Sequence, residues 1–179
     1  MKLYYGFDSR INDFQTIDML KVAMKNSKTY GYEIVFYGDS QSIDDLKEHY
    51  DYSVDISECN FQFKDDIKIY IHSNEDIDCI TIDANVLIGE PIDASYASVW
   101  FLEREHTESY DDMLEHFSKH GTKYHIQGFK NHSNKFVNTN LISFNDVHVK
   151  EDFIERYEIL KSFYLDIIEP EETLSLIHI

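Results

Sequence analysis

Cys79-Ile80-Thr81-Ile82-Asp83-Ala84-Asn85-Val86-Leu87-Ile88-Gly89-Glu90-Pro91 decides how this chain is read. Its first four residues are β-branched or small and apolar, a run suited to a buried strand. The run ends at two short polar residues one position apart, Asp83 and Asn85, and apolar chain then resumes. A carboxylate at the C-terminal tip of a strand stands where open α/β sheets bind their ligands. Asp83 and Asn85 both offer hard oxygen donors, the kind that magnesium and manganese take.

Outward from this strand, expected over 77–82, the pattern repeats. Upstream, the spacing predicts a strand over 3–7 and a helix over 13–28 through Phe14, Ile17, Leu20 and Met24, with Asn12 or Asp13 as its cap. A strand over 32–37, a short helix over 42–50, a strand over 52–56 and a helix over 63–73 through Phe63, Ile67 and Ile71 follow. Such alternation points to a parallel sheet covered on both faces. Downstream we expect a strand over 97–102, a helix over 110–120 and a strand over 136–144. The last element is a helix over 152–165, periodic through Phe153, Ile154, Tyr157, Leu160 and Tyr164. No repeat, low-complexity tract or linker interrupts the chain, so one domain over 1–173 is expected.

Composition narrows the function. The chain has 179 residues, and its 42% hydrophobic content excludes a disordered polymer. Sixteen basic residues face 34 acidic ones, for a formal charge of −18. Such a surface gains nothing from counterion release, so nucleic acid and anionic membranes are poor partners. An anionic small molecule would need a metal ion or a local cluster of donors to offset the field. Cys59 and Cys79 form no zinc or redox motif and read as small apolar core residues. The N-terminus lacks the apolar stretch of a signal peptide, and no apolar run is long enough to span a bilayer, so a soluble, cytoplasmic protein is expected. Leu174-Ser175-Leu176-Ile177-His178-Ile179 also reads as the in-frame translation of a transposon mosaic-end adapter used in shotgun libraries. We read 174–179 as a non-native tail on a truncated metagenomic reading frame.

Phosphate-binding loops of the GxxxxGK[ST] and GxGxxG types are absent, and six glycines offer little backbone cradle. A diphosphate held through a metal suits this chain better.

Several stretches together resemble a family. They are Leu3-Tyr4-Tyr5-Gly6-Phe7-Asp8-Ser9, Lys68 in the helix before the key strand, Ile82-Asp83-Ala84-Asn85-Val86 with Glu90-Pro91-Ile92 behind it, and Phe136-Val137-Asn138-Thr139-Asn140-Leu141-Ile142-Ser143-Phe144. In that order they resemble the GT-A-type nucleotide-sugar glycosyltransferases, close to small family-8-like enzymes of bacteria and phages. The resemblance implies a Rossmann-like three-layer α/β/α sandwich with a mostly parallel central sheet. It implies transfer of a sugar from a UDP-sugar to a glycan, lipid or protein acceptor. Tyr5, Phe7 and Asp8 would line the nucleotide pocket, and Lys68 would face the donor diphosphate. Asp83 and Asn85, at the family's DxD position, would hold Mn2+ or Mg2+. Asn138 and Asn140, at an Asn-x-Gly segment, would approach donor sugar and acceptor. Asparagine replaces the second aspartate at 85 and the glycine at 140. His125-Ile126-Gln127-Gly128-Phe129-Lys130 mimics a diphosphate motif but precedes the Asn138 strand, so we assign it no role.

Two rivals belong to other classes. A catalytically silent GT-A-like binding domain would tolerate the lost aspartate and glycine. A haloacid-dehalogenase-like phosphatase needs a second aspartate and a nearby threonine, where this chain has Asn85 and Val86.

Overall fold

The computed structural model of the protein describes residues 1–12, 15–93, 99–105 and 136–167. In chain order these form β1 (Lys2–Phe7), α1 (Gln15–Thr29), β2 (Glu33–Gly38), α2 (Ser40–Leu46), β3 (Tyr52–Asp55), α3 (Asp66–Asn74) and β4 (Ile80–Ile82). After them come β5 (Val99–Glu105), β6 (Phe136–Phe144) and a last helix, α4 (Val147–Ile167). The expected helix over 110–120, the 125–130 run and the 174–179 tail lie outside the described residues.

The strands make one six-stranded sheet in the order β3-β2-β1-β4-β6-β5. β1 pairs in parallel with both β2 and β4, and β2 pairs in parallel with β3. β6 runs antiparallel to both of its neighbours, β4 and β5. The expected mostly parallel α/β sheet is therefore present, with one reversed strand. The first two crossovers carry the chain from β1 outward to β3, and the third returns it to the other side of β1. The space between the C-terminal ends of β1 and β4 is thus a topological switch point, where open α/β sheets form their ligand crevice.

Period-two alternation divides β1 between two cores. Leu3, Tyr5 and Phe7 pack with Leu20 and Met24 of α1 and Leu46 of α2. Tyr4 faces the other way, into a cluster with Ile67 and Ile71 of α3. Gly6 shares that second face, and a Cβ there would lie 2.4 Å from Ile67 Cγ2. Glycine therefore lets α3 press directly onto β1 beside the switch point.

Local chemistry sets the ends of these elements. Asp39 caps α2, accepting from the Ser42 amide and hydroxyl at 3.1 and 2.7 Å. That cap places α2 at Ser40–Leu46, so it starts two residues before the expected 42 and stops short of 50. α1 closes in a Schellman turn: Gly31 has φ 79°, its N–H reaches Lys28 O, and Tyr32 N–H reaches Ser27 O. α4 begins at Val147 and not at 152, because the Asp146 carboxylate accepts from the His148 and Val149 amides.

α4 docks onto α3 through one buried carboxylate. Asp66 accepts from the Gln62 and Phe63 amides, the Tyr157 hydroxyl and Lys161 Nζ. At the opposite end of α3, Glu75 accepts from the Tyr4 and Tyr37 hydroxyls, and Lys150 donates to its carbonyl. No helix among the described residues is long and apolar enough to cross a membrane.

Candidate functional site

A cavity of about 820 Å³ opens at the switch point, within the size range of small-molecule sites. Its wall runs from β1 and the turn after it, across the segment leading into α3, to the tip of β4. Its charge departs from that of the chain. Among the described residues three cations, Arg10, Lys64 and Lys68, line it against two carboxylates, Asp65 and Asp83, whereas acids outnumber bases about two to one overall. With Asp8 beneath Arg10 also counted, the described part of this wall is balanced in charge, so it opposes an anionic ligand less than the acidic remainder of the chain does.

Lys68 stands at the centre. It projects from the face of α3 that meets β4, and its Nζ contacts both oxygens of Asp83, at 2.8 Å to Oδ1 and 2.9 Å to Oδ2. Asp65, one helical turn earlier, is 4.0 Å away on the same ammonium. The lysine side chain is 13% exposed and that of Asp83 29%, so solvent screens this pair only in part. The backbone of Asp83 is fixed from the other side: its N–H donates to Asn140 O at 2.7 Å, extending the β4–β6 ladder by one residue. Asn85 also lines the cavity and is exposed.

Arg10 was not singled out by the sequence reading. It lies just past β1, lines the cavity, and is held by Asp8, with Nε to Oδ1 at 2.8 Å and Nη2 to Oδ2 at 2.6 Å. Its guanidinium also donates to the carbonyls of Ser57 and Cys59. Asp8 is almost wholly buried beneath it. The only local signal for this arrangement was the i,i+2 spacing of acid and base in a turn.

Of the expected site residues, Lys68, Asp83 and Asn85 come together at the cavity. Tyr5 and Phe7 do not reach it. Both are fully buried on the α1 face, and the Tyr5 hydroxyl pairs with Ser27 Oγ at 2.8 Å. Tyr4 and Gly6, of the opposite parity, line the cavity instead. Asp8 follows the C-terminal end of β1, and both its oxygens are taken by Arg10. Asn140 touches the site through its backbone carbonyl. Asn138 lies further along β6, past the tip of β4, opposite Glu103 of β5; its side chain lies outside the described residues.

The donor set at the β4 tip fits a resident divalent ion poorly. Among the described residues its carboxylate, Asp83, faces an ammonium with both oxygens, and its second donor, Asn85, is a neutral amide. No group of three His, Cys, Asp or Glu side chains suited to a metal occurs among the described residues.

Behind the cavity, His72 is completely buried, with Nε2 3.0 Å from the Thr81 hydroxyl and its ring edge-on to Phe144. Burial, with Lys150 and Lys68 nearby, pushes its pKa down to about 3. The imidazole is therefore neutral at ordinary pH and adds no charge to the wall.

Neither a protein-family model nor a curated protein sequence matches this chain.

Proposed function

We propose that this protein is a nucleotide-sugar glycosyltransferase whose donor diphosphate occupies the switch-point cavity. The observation that carries this reading is the gathering of Arg10, Lys64 and Lys68 around one cavity in a chain of charge −18. The strand order supports it, because it sets that cavity at the C-terminal ends of β1 and β4. The motif resemblance supplies the substrate class, a UDP-sugar.

In this reading the acceptor oxygen bonds to the anomeric carbon while the bond from that carbon to the β-phosphate oxygen breaks. The bonding electrons leave with the nucleoside diphosphate, and the acceptor proton passes to the medium. Charge builds on the departing phosphate, so a fixed ammonium at its edge stabilises the transition state more than the ground state. In this reading Lys68 supplies that ammonium, with its Nζ held by Asp83 and Asp65.

The test is release of UDP from a panel of UDP-sugars by the full chain, with Lys68→Ala beside it. Turnover that falls 100-fold or more in the variant agrees with the assignment. Failure of the full chain to turn over any donor would remove it. A second reading, a nucleotide-binding domain without transfer, is favoured by the engagement of both Asp83 oxygens. It predicts UDP binding by calorimetry with no turnover.

A further inference from the structure

We propose that the cavity's own side chains, Lys68 foremost with Lys64 and Arg10, hold a bound pyrophosphate group by charge-assisted hydrogen bonds without a divalent metal ion. The inference rests on the transferase reading for the identity of the ligand, but its charge argument stands on the cavity alone.

Three observations converge. First, Asp83, the carboxylate at the β4 tip, already has a cation: Lys68 Nζ contacts both its oxygens. A magnesium ion bound to either oxygen at about 2.1 Å would lie within about 5 Å of that ammonium. Two cations would then compete for one carboxylate in a partly screened wall. Second, the neighbouring donor is Asn85, whose amide contributes oxygen but no charge. A second carboxylate at position 85 is what would let ion and lysine coexist there, and Asp65, the other carboxylate on this wall among the described residues, is itself drawn to the same ammonium at 4.0 Å. Third, positive charge is supplied by side chains instead. Lys64 is exposed on the same wall, and Arg10 lines it with 47% of its side chain accessible. Asp8 restrains the Arg10 guanidinium from beneath, which lowers the entropy lost when it meets a ligand.

Together these residues offer a phosphate group charged N–H donors at the place where a site of paired carboxylates would offer a metal. The difference is that their charge is built into α3 and the β1 turn. Lys68 carries a compact, rotatable ammonium that redistributes its donors between Asp83 and an incoming phosphate oxygen.

The experiment is calorimetry on the full chain with UDP, inorganic pyrophosphate and uridine, after EDTA treatment and again with Mn2+. We expect UDP and pyrophosphate to bind after EDTA treatment, with affinities that change less than three-fold on adding Mn2+. Lys68→Ala should weaken both at least ten-fold and leave uridine unaffected, and Lys68→Arg should restore most of the loss. Lys64→Gln, at an exposed position that burdens folding little, should weaken both about three-fold. A ten-fold or larger gain with Mn2+ that disappears in Asp83→Ala would overturn the inference and leave the transferase reading intact. Metal-free pyrophosphate binding lost in Lys68→Ala, without turnover of any UDP-sugar, would uphold the inference and remove the transferase reading. Absence of UDP and pyrophosphate binding in both conditions would overturn both.

Discussion

Lys68 Nζ lies 2.8 Å from Oδ1 and 2.9 Å from Oδ2 of Asp83, so one ammonium bridges α3 to the tip of β4 in the wall of the cavity. Both charges are partly withdrawn from water, with side-chain exposures of 13% and 29%. Removing one partner strands the other in a poorly screened place. Lys68→Met keeps most of the aliphatic stem and removes only the charge. It should lower stability by about 1–3 kcal/mol, read from urea denaturation midpoints. A loss below a few tenths of a kcal/mol would mean that the pair is effectively solvated.

Gly6 sets the distance between α3 and β1. Because a Cβ there would sit 2.4 Å from Ile67 Cγ2, Gly6→Ala should cost about 1–3 kcal/mol through overpacking. Ile67 is β-branched and stiff, so the methyl has little room to yield. In an Ile67→Ala background the same substitution should cost much less, and a double-mutant cycle measures that coupling. Strict additivity in the cycle would refute the contact.

Asp66 gathers four donors from two backbone amides, Tyr157 and Lys161. Asp66→Ala removes the acceptor and leaves the Lys161 ammonium, 19% exposed, without this partner. We expect a loss of about 3–5 kcal/mol. Tyr157→Phe deletes one donor of the set and should cost about 1–2 kcal/mol. The reverse ranking in thermal or chemical denaturation would show that α4 is anchored elsewhere.

Acid should weaken the fold well above the ordinary carboxylate range. The pKa of His72 is pushed down to about 3 in the folded protein, chiefly by burial, against about 6.5 in an unfolded chain. Between those values the unfolded state binds a proton that the folded state refuses. Stability should therefore fall by up to about 1.4 kcal/mol per pH unit as pH drops from 6.5 toward 3. Asp51 adds to the loss at the lower end. The Ile34 amide and Lys28 hold its carboxyl below its usual value, so its stabilisation fades as pH falls through that depressed pKa. His72→Gln should flatten the profile between pH 6.5 and 4.5, followed by urea midpoints against pH. An unchanged slope would show that His72 is not the proton acceptor.

Gly31 offers a purely local check. Its φ of 79° lies in the left-handed region, where a side chain is strained although nothing lies within 4 Å of the added Cβ. Gly31→Ala should cost about 1–2 kcal/mol, and Gly31→Asn less, measured by thermal unfolding. Equal stability of all three proteins would place the end of α1 under tertiary control.

Local order in the amino acids was enough to find the strands and helices of the first half, because a buried β-branched run and a 3.6-residue stripe are properties of neighbouring residues. It was also enough to single out Asp83 and Asn85, two oxygen donors where an apolar run ends, whereas Lys68 stood out only through the family resemblance. It could not say which face of β1 meets the cleft. Strands covered on both sides carry apolar residues at both parities, so Tyr5 and Phe7 looked as suitable for a ligand pocket as Tyr4. Strand order and the close seat of α3 over Gly6 decided the matter. Tertiary structure alone also turned Arg10 over Asp8 and brought Lys68 onto both oxygens of Asp83. Those contacts depend on how separate elements pack in space, and sequence spacing carries no measure of that distance.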